Sequence, residues 1–165
     1  MKNKAIIIVG SSRKKGNTTR IVDAIEEQYD VEVVNLSDYE FSYYDYEAQN
    51  KNDDFFSLIK RVIEHYDVLV FATPVYWYTM SGVMKVFFDR FSDLIRIEKE
   101  TGRKLRGKSM AVLSNSHDSE IEDTFYLPFK KSADYLGMQY LGNVHYNADI
   151  KEDTINKKIS FLQKR

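Results

Sequence analysis

Hydroxyl, amide and basic side chains are concentrated in one short segment, GSSRKKGNTT at residues 10–19. The segment lies between a run of β-branched residues and the start of a helical pattern. Backbone N–H groups at a helix start favour a phosphate, and charge-assisted hydrogen bonds contribute about 1.5–3 kcal/mol each. The segment therefore predicts an anion site; a solvated turn that caps the helix is the alternative. The candidate donors are Ser11, Ser12, Asn17, Thr18 and Thr19, with positive charge from Arg13, Lys14 and Lys15.

The spacing within this segment excludes two familiar phosphate loops. Gly10 and Gly16 are one residue too far apart for the Walker pattern G-x-x-x-x-G-K-[ST], and Asn17 stands where its lysine is required. The dinucleotide pattern G-x-G-x-x-G fails because Ser12 occupies the position of its second glycine.

A second segment, TPVYWYTMSG at residues 73–82, contains three consecutive large aromatic residues, Tyr76, Trp77 and Tyr78. Three such rings in one loop cannot all face the same core, so at least one is expected to meet a ligand or a partner. A planar conjugated ligand gains about 0.5–1.5 kcal/mol per well-placed ring beyond its buried area. An aromatic cover over the end of the sheet, or a contact between subunits, is the alternative.

Alternating apolar runs and helical periods predict the elements that position these segments. The predicted strands are Ala5–Val9, Val31–Leu36, Asp67–Thr73, Lys108–Ser114 and Gln139–Tyr146. The predicted helices are Asn17–Tyr29, one that begins at Asp53, Ser81–Ile95, one that ends at Leu136 before Gly137, and Thr154–Lys164.

This alternation predicts a doubly wound α/β fold with three layers. Ligands of such sheets bind at the carboxyl ends of the strands. The loops expected at that edge are Gly10–Asn17, Ser37–Asn52, Pro74–Met80 and Asn115–Glu120.

Composition restricts the class of protein. The chain has 165 residues, 24 Lys and Arg against 25 Asp and Glu, and no cysteine. The length predicts one domain, residues 1–165, and the missing cysteines exclude disulfides, thiol catalysis and iron–sulfur ligation. The balanced charge argues against nucleic acid as a partner. Since no apolar run approaches a signal core or a membrane span, a soluble cytoplasmic protein without membrane contact is expected.

The two segments together resemble the flavodoxin-like NAD(P)H-dependent FMN reductase family, including its iron–sulfur flavoprotein group. Relatives carry G-S-x-R-x-x-G-N-T and, downstream, S/T-P-V-Y-x-x-x-x-S-x-x-M-K-x-F-x-D-R. The second motif is matched at Thr73, Pro74, Val75, Tyr76, Ser81, Met84, Lys85, Phe87, Asp89 and Arg90. The resemblance implies a flavodoxin-like three-layer sandwich whose five-stranded parallel sheet has the order 2-1-3-4-5, with helices on both faces.

The resemblance also implies an FMN site and an activity. The protein would pass a hydride from NADH or NADPH through bound FMN to a small acceptor such as free flavin or a quinone, with no catalytic side chain. Three segments would hold the cofactor. The phosphate would be held by Ser11, Arg13, Gly16, Asn17, Thr18 and Thr19. The ring would be wrapped by Pro74, Val75, Tyr76, Trp77 and Tyr78, and the site closed by Asn115, Ser116 and His117.

Two other functions remain as alternatives. An electron-carrier flavoprotein without its own nicotinamide reaction would show a stable one-electron reduced flavin, although the near-neutral charge weakens this hypothesis. A phosphoacceptor domain is weaker still, because Ser11-Ser12 and Thr73-Pro74 stand where such domains need aspartates. Many relatives also carry cysteines in the loop after strand two, where this chain has FSYYDYEAQNKNDD instead.

The remaining polar residues predict little chemistry. His65 and His145 are expected to be structural, and no histidine–carboxylate spacing suggests a metal site. Asp53 and Asp54 are expected to start a helix, and Asp89-Arg90 to form a structural pair. The predicted helix 81–95 is apolar on two faces, which predicts a homodimer or a higher homo-oligomer.

Overall fold

The computed structural model describes residues 4–155 and 159–162, apart from the side chain at position 153. The strands are β1 (Ala5–Val9), β2 (Glu32–Asn35), β3 (Val68–Tyr76), β4 (Thr79–Met80), β5 (Ser109–Ser116) and β6 (Gln139–Asn147). A parallel sheet has the order β2-β1-β3-β5-β6, and the short strand β4 pairs antiparallel with β3. The five parallel strands therefore follow the predicted order 2-1-3-4-5.

Helices cover both faces of this sheet. They are α1 (Asn17–Tyr29), α2 (Asp54–His65), α3 (Gly82–Asp89), α4 (Phe91–Arg96), α5 (Lys99–Arg103) and α6 (Leu127–Leu136). Strand β1 shows the two faces directly: Ile6 and Ile8 belong to the core with α2, α3 and α6, whereas Ile7 and Val9 belong to the core with α1. All four side chains are fully or almost fully buried, which confirms a central strand covered on both sides.

The structure corrects the predicted end of the third strand. Pro74 does not terminate β3, which continues to Tyr76, and the predicted loop Pro74–Met80 is instead a hairpin with β4. The backbone groups of Ala72 face β1, where Ala72 accepts from the N–H of Gly10. By the two-residue alternation of a strand, the nitrogen of Pro74 faces the same side, beyond the end of β1. Its missing N–H therefore removes no ladder hydrogen bond.

The predicted helix Ser81–Ile95 is also interrupted. It divides at Arg90 into α3 and α4, and Ser81 is the N-cap of α3, where its Oγ accepts from the N–H of Met84 at 3.2 Å. The apolar residues that suggested an interface are mostly buried inside the monomer, and Ile95 is the member that is exposed. The charged stretch that follows contains α5, and Gly137 ends α6 with a φ of 71°, as expected.

Two further boundaries differ from prediction. Strand β5 extends through Asn115 and Ser116, so the predicted loop Asn115–Glu120 begins two residues later. The predicted helix Thr154–Lys164 lies partly outside the described residues; within them, Glu152–Thr154 form one 3-10 turn and 159–162 are not helical. Among the described residues, no helix is both long enough and apolar enough to cross a bilayer.

Candidate functional site

The carboxyl ends of four strands meet at one edge of the sheet, as predicted. Here β1 ends at Val9, while Pro74 of β3 pairs with Asn115 of β5. Ser116 of β5 pairs in turn with Asn147 of β6. The 10–17 loop, the β3–β4 hairpin and the residues after β5 therefore belong to the same edge, which we call the rim.

A close contact between the 10–17 loop and α3 fixes the first of these segments. A Cβ atom added at Gly10 would lie 2.7 Å and 2.8 Å from Cε and Cβ of Met84, so only glycine fits there without displacement. The carbonyl of Gly10 accepts a 2.6 Å hydrogen bond from Oγ of Ser81, and the N–H of Ser81 donates to Oγ1 of Thr73. The start of α3, the end of β3 and the 10–17 loop are thus held together.

The N-terminus of α1 retains donors for a ligand. Gly16 is its N-cap, so no side chain caps the first N–H groups, and no acidic residue lies in the first turn. Ser11 is buried, and its Oγ accepts from the N–H of Arg13 at 3.3 Å. Lys14 is paired with Asp38 at 2.8 Å, whereas Arg13 forms no ion pair within the part of the chain that the structure describes. The local charge is therefore positive, as an anion requires.

Two neighbouring threonines of α1 have different surroundings. Oγ1 of Thr18 donates a buried 2.7 Å hydrogen bond to Oδ1 of Asn115, which ties the start of α1 to the end of β5. Oγ1 of Thr19 is buried, and within residues 4–155 and 159–162 it has no hydrogen-bond partner. The hydroxyl of Thr18 is thus paired within the protein, whereas that of Thr19 is unpaired among the described residues. Asn17 is exposed beside them.

The aromatic segment forms the tip of the β3–β4 hairpin. Trp77 and Tyr78 are its two central residues, with φ values of 49° and 63°, as in a type I′ turn. Their side chains are 93% and 87% exposed, and that of Tyr76 is 40% exposed. Among residues 74–78, which were predicted to wrap the ring, Pro74 is buried and Val75 half-buried, so these are the two that the protein packs.

Two histidines make side-chain contacts at the end of β5 and just after it. His117 is exposed and its Nδ1 lies 3.3 Å from Oδ2 of Asp149. His145, near the end of β6, lies between Ser114 and Ser116, with ring nitrogen to Oγ distances of 2.9 Å and 3.2 Å. The structure thus brings Ser116 into a hydrogen-bonded group with His145, while the exposed ring of His117 lies next to Asp149 instead.

The tyrosine-rich segment 37–52 is irregular after a 3-10 turn at Leu36–Asp38, as predicted, and a buried arginine anchors it. Arg90 donates to the carbonyl of Ser42 at 3.0 Å and forms ion pairs with Asp53 at 2.5 Å and Asp93 at 2.6 Å. Burial acts to raise the pKa of Asp53, but hydrogen bonds from Arg90 and from the N–H groups of Ser42 and Phe55 hold that pKa below its ordinary value. Arg90 is structural, as expected, but its partners are Asp53 and Asp93 rather than Asp89.

The sequence did not predict a group of polar side chains that are hydrogen-bonded to one another near the rim. His145, Ser114 and Tyr126 form a hydrogen-bonded group, yet 31 residues separate the first two, and no local period reports such a contact. One signal was available. His145 lies at the end of a predicted strand, and every parallel strand of this fold ends at the rim.

Comparison with known proteins gives the family. The sequence model of the NADPH-dependent FMN reductase family matches residues 3–153. A Bacillus subtilis (strain 168) protein provisionally named NAD(P)H-dependent FMN-containing oxidoreductase YwqN is 34% identical over 99 residues, 56% of this chain and 54% of that protein. The NADPH azoreductase of Bacillus sp. (strain OY1-2) is 29% identical over 96 residues, 58% of this chain and 54% of that protein.

A solved structure extends the similarity over most of the chain. The Trp repressor binding protein from Bacillus subtilis superposes with a TM-score of 0.69 and 26% identity, over 87% of this chain and 84% of that one. The chain spans about half the length of the two curated relatives. Because the family model matches residues 3–153, most of the sequence, the chain belongs to the NADPH-dependent FMN reductase family.

Proposed function

We propose that this chain binds FMN at the rim and acts as an NAD(P)H-dependent oxidoreductase that reduces a small acceptor. The observation that carries the proposal is the buried hydroxyl of Thr19, which has no partner among the described residues and lies at an uncapped helix N-terminus. A buried donor without a partner is unfavourable, and a bound phosphate would satisfy it. Residues 1–165 would form one FMN-binding domain.

The 10–19 segment fits the phosphate of FMN. The first N–H groups of α1, the hydroxyls of Ser11 and Thr19, the amide of Asn17 and the guanidinium of Arg13 would bind its oxygens. Gly16 has no side chain, so the backbone can approach the phosphate closely there. A Cβ atom added at Gly16 would lie 3.3 Å from Cβ of Arg13. The hydroxyl of Thr18 would not bind the phosphate itself, because it donates to Asn115 and so holds the start of α1 in place.

The ring system would lie against the other two segments of the rim. Backbone groups of Pro74, Val75 and Tyr76 would face its polar edge, and Ser116 and His117 would close the site beyond Asn115. The rings of Trp77 and Tyr78 project from the hairpin into solvent. In that position they could stack on a planar acceptor or donor that approaches the site.

Bound FMN would supply the redox chemistry, since a flavin accepts a hydride from NADH or NADPH and passes it to a second acceptor. The protein's own contribution is to bind and orient. The uncapped helix start holds the anionic end, and the rim segments limit how a second molecule reaches the ring. Free flavins, quinones and, because one relative is an NADPH azoreductase, azo compounds are the acceptor classes we propose.

We also propose a homodimer in the cytoplasm, where nicotinamide donors are available. Exposed Ile95 and Tyr135 border two neighbouring grooves with volumes of about 400 Å³ and about 280 Å³ between α4 and α6. Sedimentation should show a dimer, and Ile95→Lys should shift it toward monomer. A wild-type monomer at micromolar concentration would contradict this part of the proposal.

Turnover by flavin-loaded protein tests the activity. Oxidation of NADH and NADPH should be followed with a quinone, free FMN and an azo dye as acceptors, with FMN-free protein as the control. The proposal predicts nicotinamide oxidation that requires both bound FMN and an acceptor. Full flavin loading without turnover on any acceptor would instead favour an electron-carrier role.

A further inference from the structure

A chain of hydrogen bonds runs from the interior to the rim along the ends of β5 and β6. It begins at the buried hydroxyl of Tyr126, which lies 2.7 Å from Oγ of Ser114. Ser114 lies 2.9 Å from Nδ1 of His145, whose Nε2 lies 3.2 Å from both the carbonyl of Asp118 and Oγ of Ser116. The N–H of Asp118 donates back to Oγ of Ser116 at 3.1 Å.

The rim end of this chain sets the direction of its hydrogen bonds. A backbone carbonyl can only accept, so the 3.2 Å contact between Asp118 and Nε2 of His145 requires a hydrogen on Nε2. The other neutral tautomer would place a nitrogen lone pair against the carbonyl oxygen. Nδ1 of neutral His145 is then an acceptor.

The interior end requires the same direction. With Nδ1 accepting, Ser114 donates to His145 and accepts from Tyr126, so the hydroxyl hydrogens of Ser114 and Tyr126 both have a partner. Reversal would make Ser114 donate to Tyr126 and would leave the Tyr126 hydroxyl hydrogen buried without an acceptor among the described residues. Burial, with a smaller opposing effect of Ser114, raises the pKa of Tyr126, so this phenol keeps its hydrogen.

Ser116 is the group on which this direction acts. Its Oγ accepts from the N–H of Asp118 and faces the N–H of His145, so its own hydrogen cannot point to His145. No other acceptor for that hydrogen occurs within residues 4–155 and 159–162, and Ser116 is partly exposed at the rim. We propose that His145 is a positioning residue, held as the Nε2–H tautomer, which leaves the Ser116 hydroxyl as a hydrogen-bond donor to the flavin ring.

This inference rests on the proposed FMN site and adds a specific effect to it. The two carbonyl oxygens and N1 of a flavin ring are hydrogen-bond acceptors that gain electron density on reduction. A donor that is already oriented toward them stabilises the reduced state more than the oxidised one. His145 would therefore influence both the affinity for FMN and its reduction potential without touching it.

Three substitutions separate the effect of the Ser116 hydroxyl from the effect of the His145 ring. Ser116→Ala removes the donor itself. His145→Asn keeps an acceptor near the Nδ1 position but removes the donor at Nε2, whereas His145→Gln keeps a donor near Nε2. The exposed Ser119→Ala in the same loop is the matched control. The readouts are the FMN dissociation constant and the flavin midpoint potential of each purified protein.

We expect Ser116→Ala and His145→Asn to weaken FMN binding about threefold to tenfold. We also expect them to reduce the preference for reduced flavin by as much as about tenfold, or ~30 mV for a two-electron couple. His145→Gln should restore most of both quantities, and Ser119→Ala should match wild type. Ser116→Ala with wild-type affinity and potential would overturn the inference and leave the proposed function intact. A wild-type protein that binds no FMN would overturn both.

A measurement on the unaltered protein covers the case in which the His145 variants do not fold. Long-range proton–nitrogen NMR correlations distinguish the two neutral tautomers of each histidine. The inference requires His145 to be the Nε2–H tautomer at neutral pH. Detection of the Nδ1–H tautomer there would overturn it.

Discussion

At the scale of single residues, Thr18 and Thr19 separate the stability of the rim from its binding of ligand. They are consecutive and chemically identical, yet Thr18 donates to buried Asn115 and Thr19 has no partner among the described residues. A hydroxyl paired within the protein stabilises the fold, and one left unpaired is available to a ligand. The same substitution at the two positions should therefore have opposite consequences.

Thr18→Val should lower the free energy of unfolding of the FMN-free protein by about 1–3 kcal/mol, because it leaves a buried amide oxygen without a donor. Thr19→Val should not lower it, but should weaken FMN binding about threefold to tenfold. Urea unfolding and flavin titration of both variants check this. Equal destabilisation of the two variants, or undiminished FMN affinity in Thr19→Val, would contradict the assignment.

Asp53 gives a residue-scale prediction about pH. Its pKa is lowered in the folded protein, so its contribution to stability is present above the ordinary value of 3.8 and disappears as the pH falls through the lower folded pKa. Asp53→Asn should lower the free energy of unfolding at pH 7 by about 3 kcal/mol, because it removes one partner of a buried arginine. The loss should be no larger, because Arg90 keeps Asp93 as its other partner.

Unfolding measured across the acidic range checks this prediction. As the pH falls below 3.8, wild type should lose stability more steeply than Asp53→Asn. Asp38→Asn, which breaks the exposed pair with Lys14, is the control and should change stability by less than about 1 kcal/mol. Parallel pH profiles for wild type and Asp53→Asn would show that this carboxylate is not the stabilising group.

At the scale of elements, the β3–β4 hairpin holds two aromatic residues in a conformation that favours asparagine and glycine. Trp77 and Tyr78 both have positive φ, which is unfavourable for residues with a Cβ atom, and their exposed rings recover little of that energy by packing. Such strain at an exposed tip supports our proposal that the rings serve binding rather than folding.

The double substitution Trp77→Asn, Tyr78→Gly should therefore stabilise the FMN-free protein by about 1 kcal/mol, because it matches the type I′ turn. Thermal unfolding measures the change. The double alanine variant at the same positions removes the rings but keeps the unfavourable backbone, and should give no such gain. A less stable Asn-Gly variant would mean that the two rings contribute to the fold.

The elements also show which parts of the structure could be predicted from sequence. Buried apolar runs such as Ala5–Val9 and the stop at Gly137 depend on local composition, so the strands and the end of helix α6 followed from local patterns and the doubly wound fold from topology rules. The strand order was implied by the family resemblance. The extension of β3 past Pro74 depended on where β1 ends, and the break at Arg90 depended on ion pairs with Asp53 and Asp93. These are tertiary features that a local pattern does not contain.

The candidate site divides in the same way. Loop positions at the carboxyl edge follow from the fold, so Ser11 to Thr19 could be located from the sequence. The different roles of Thr18 and Thr19, and the part played by His145, depend on side-chain contacts across 97 and 31 residues. Only the folded chain shows them.

At the scale of the whole molecule, three segments far apart in sequence form one rim, and side-chain hydrogen bonds tie them together. Ser81 joins α3 to Gly10, and Thr18 joins α1 to β5.

A ligand that binds this folded rim and not the unfolded chain must raise the stability of the protein by mass action. FMN should therefore raise the melting temperature in a concentration-dependent way, whereas riboflavin, which lacks the phosphate, should do so much less.

The most direct test of the central claim is a visible absorption titration of the purified protein with FMN, followed by anaerobic addition of NADH or NADPH. We predict saturable binding of one FMN per chain and loss of the visible flavin band when the nicotinamide donor is added. A protein that binds no FMN would contradict the assignment of the 10–19 segment to its phosphate and, with it, the proposed function. Bound FMN that neither donor reduces would retain the site and contradict the nicotinamide reaction.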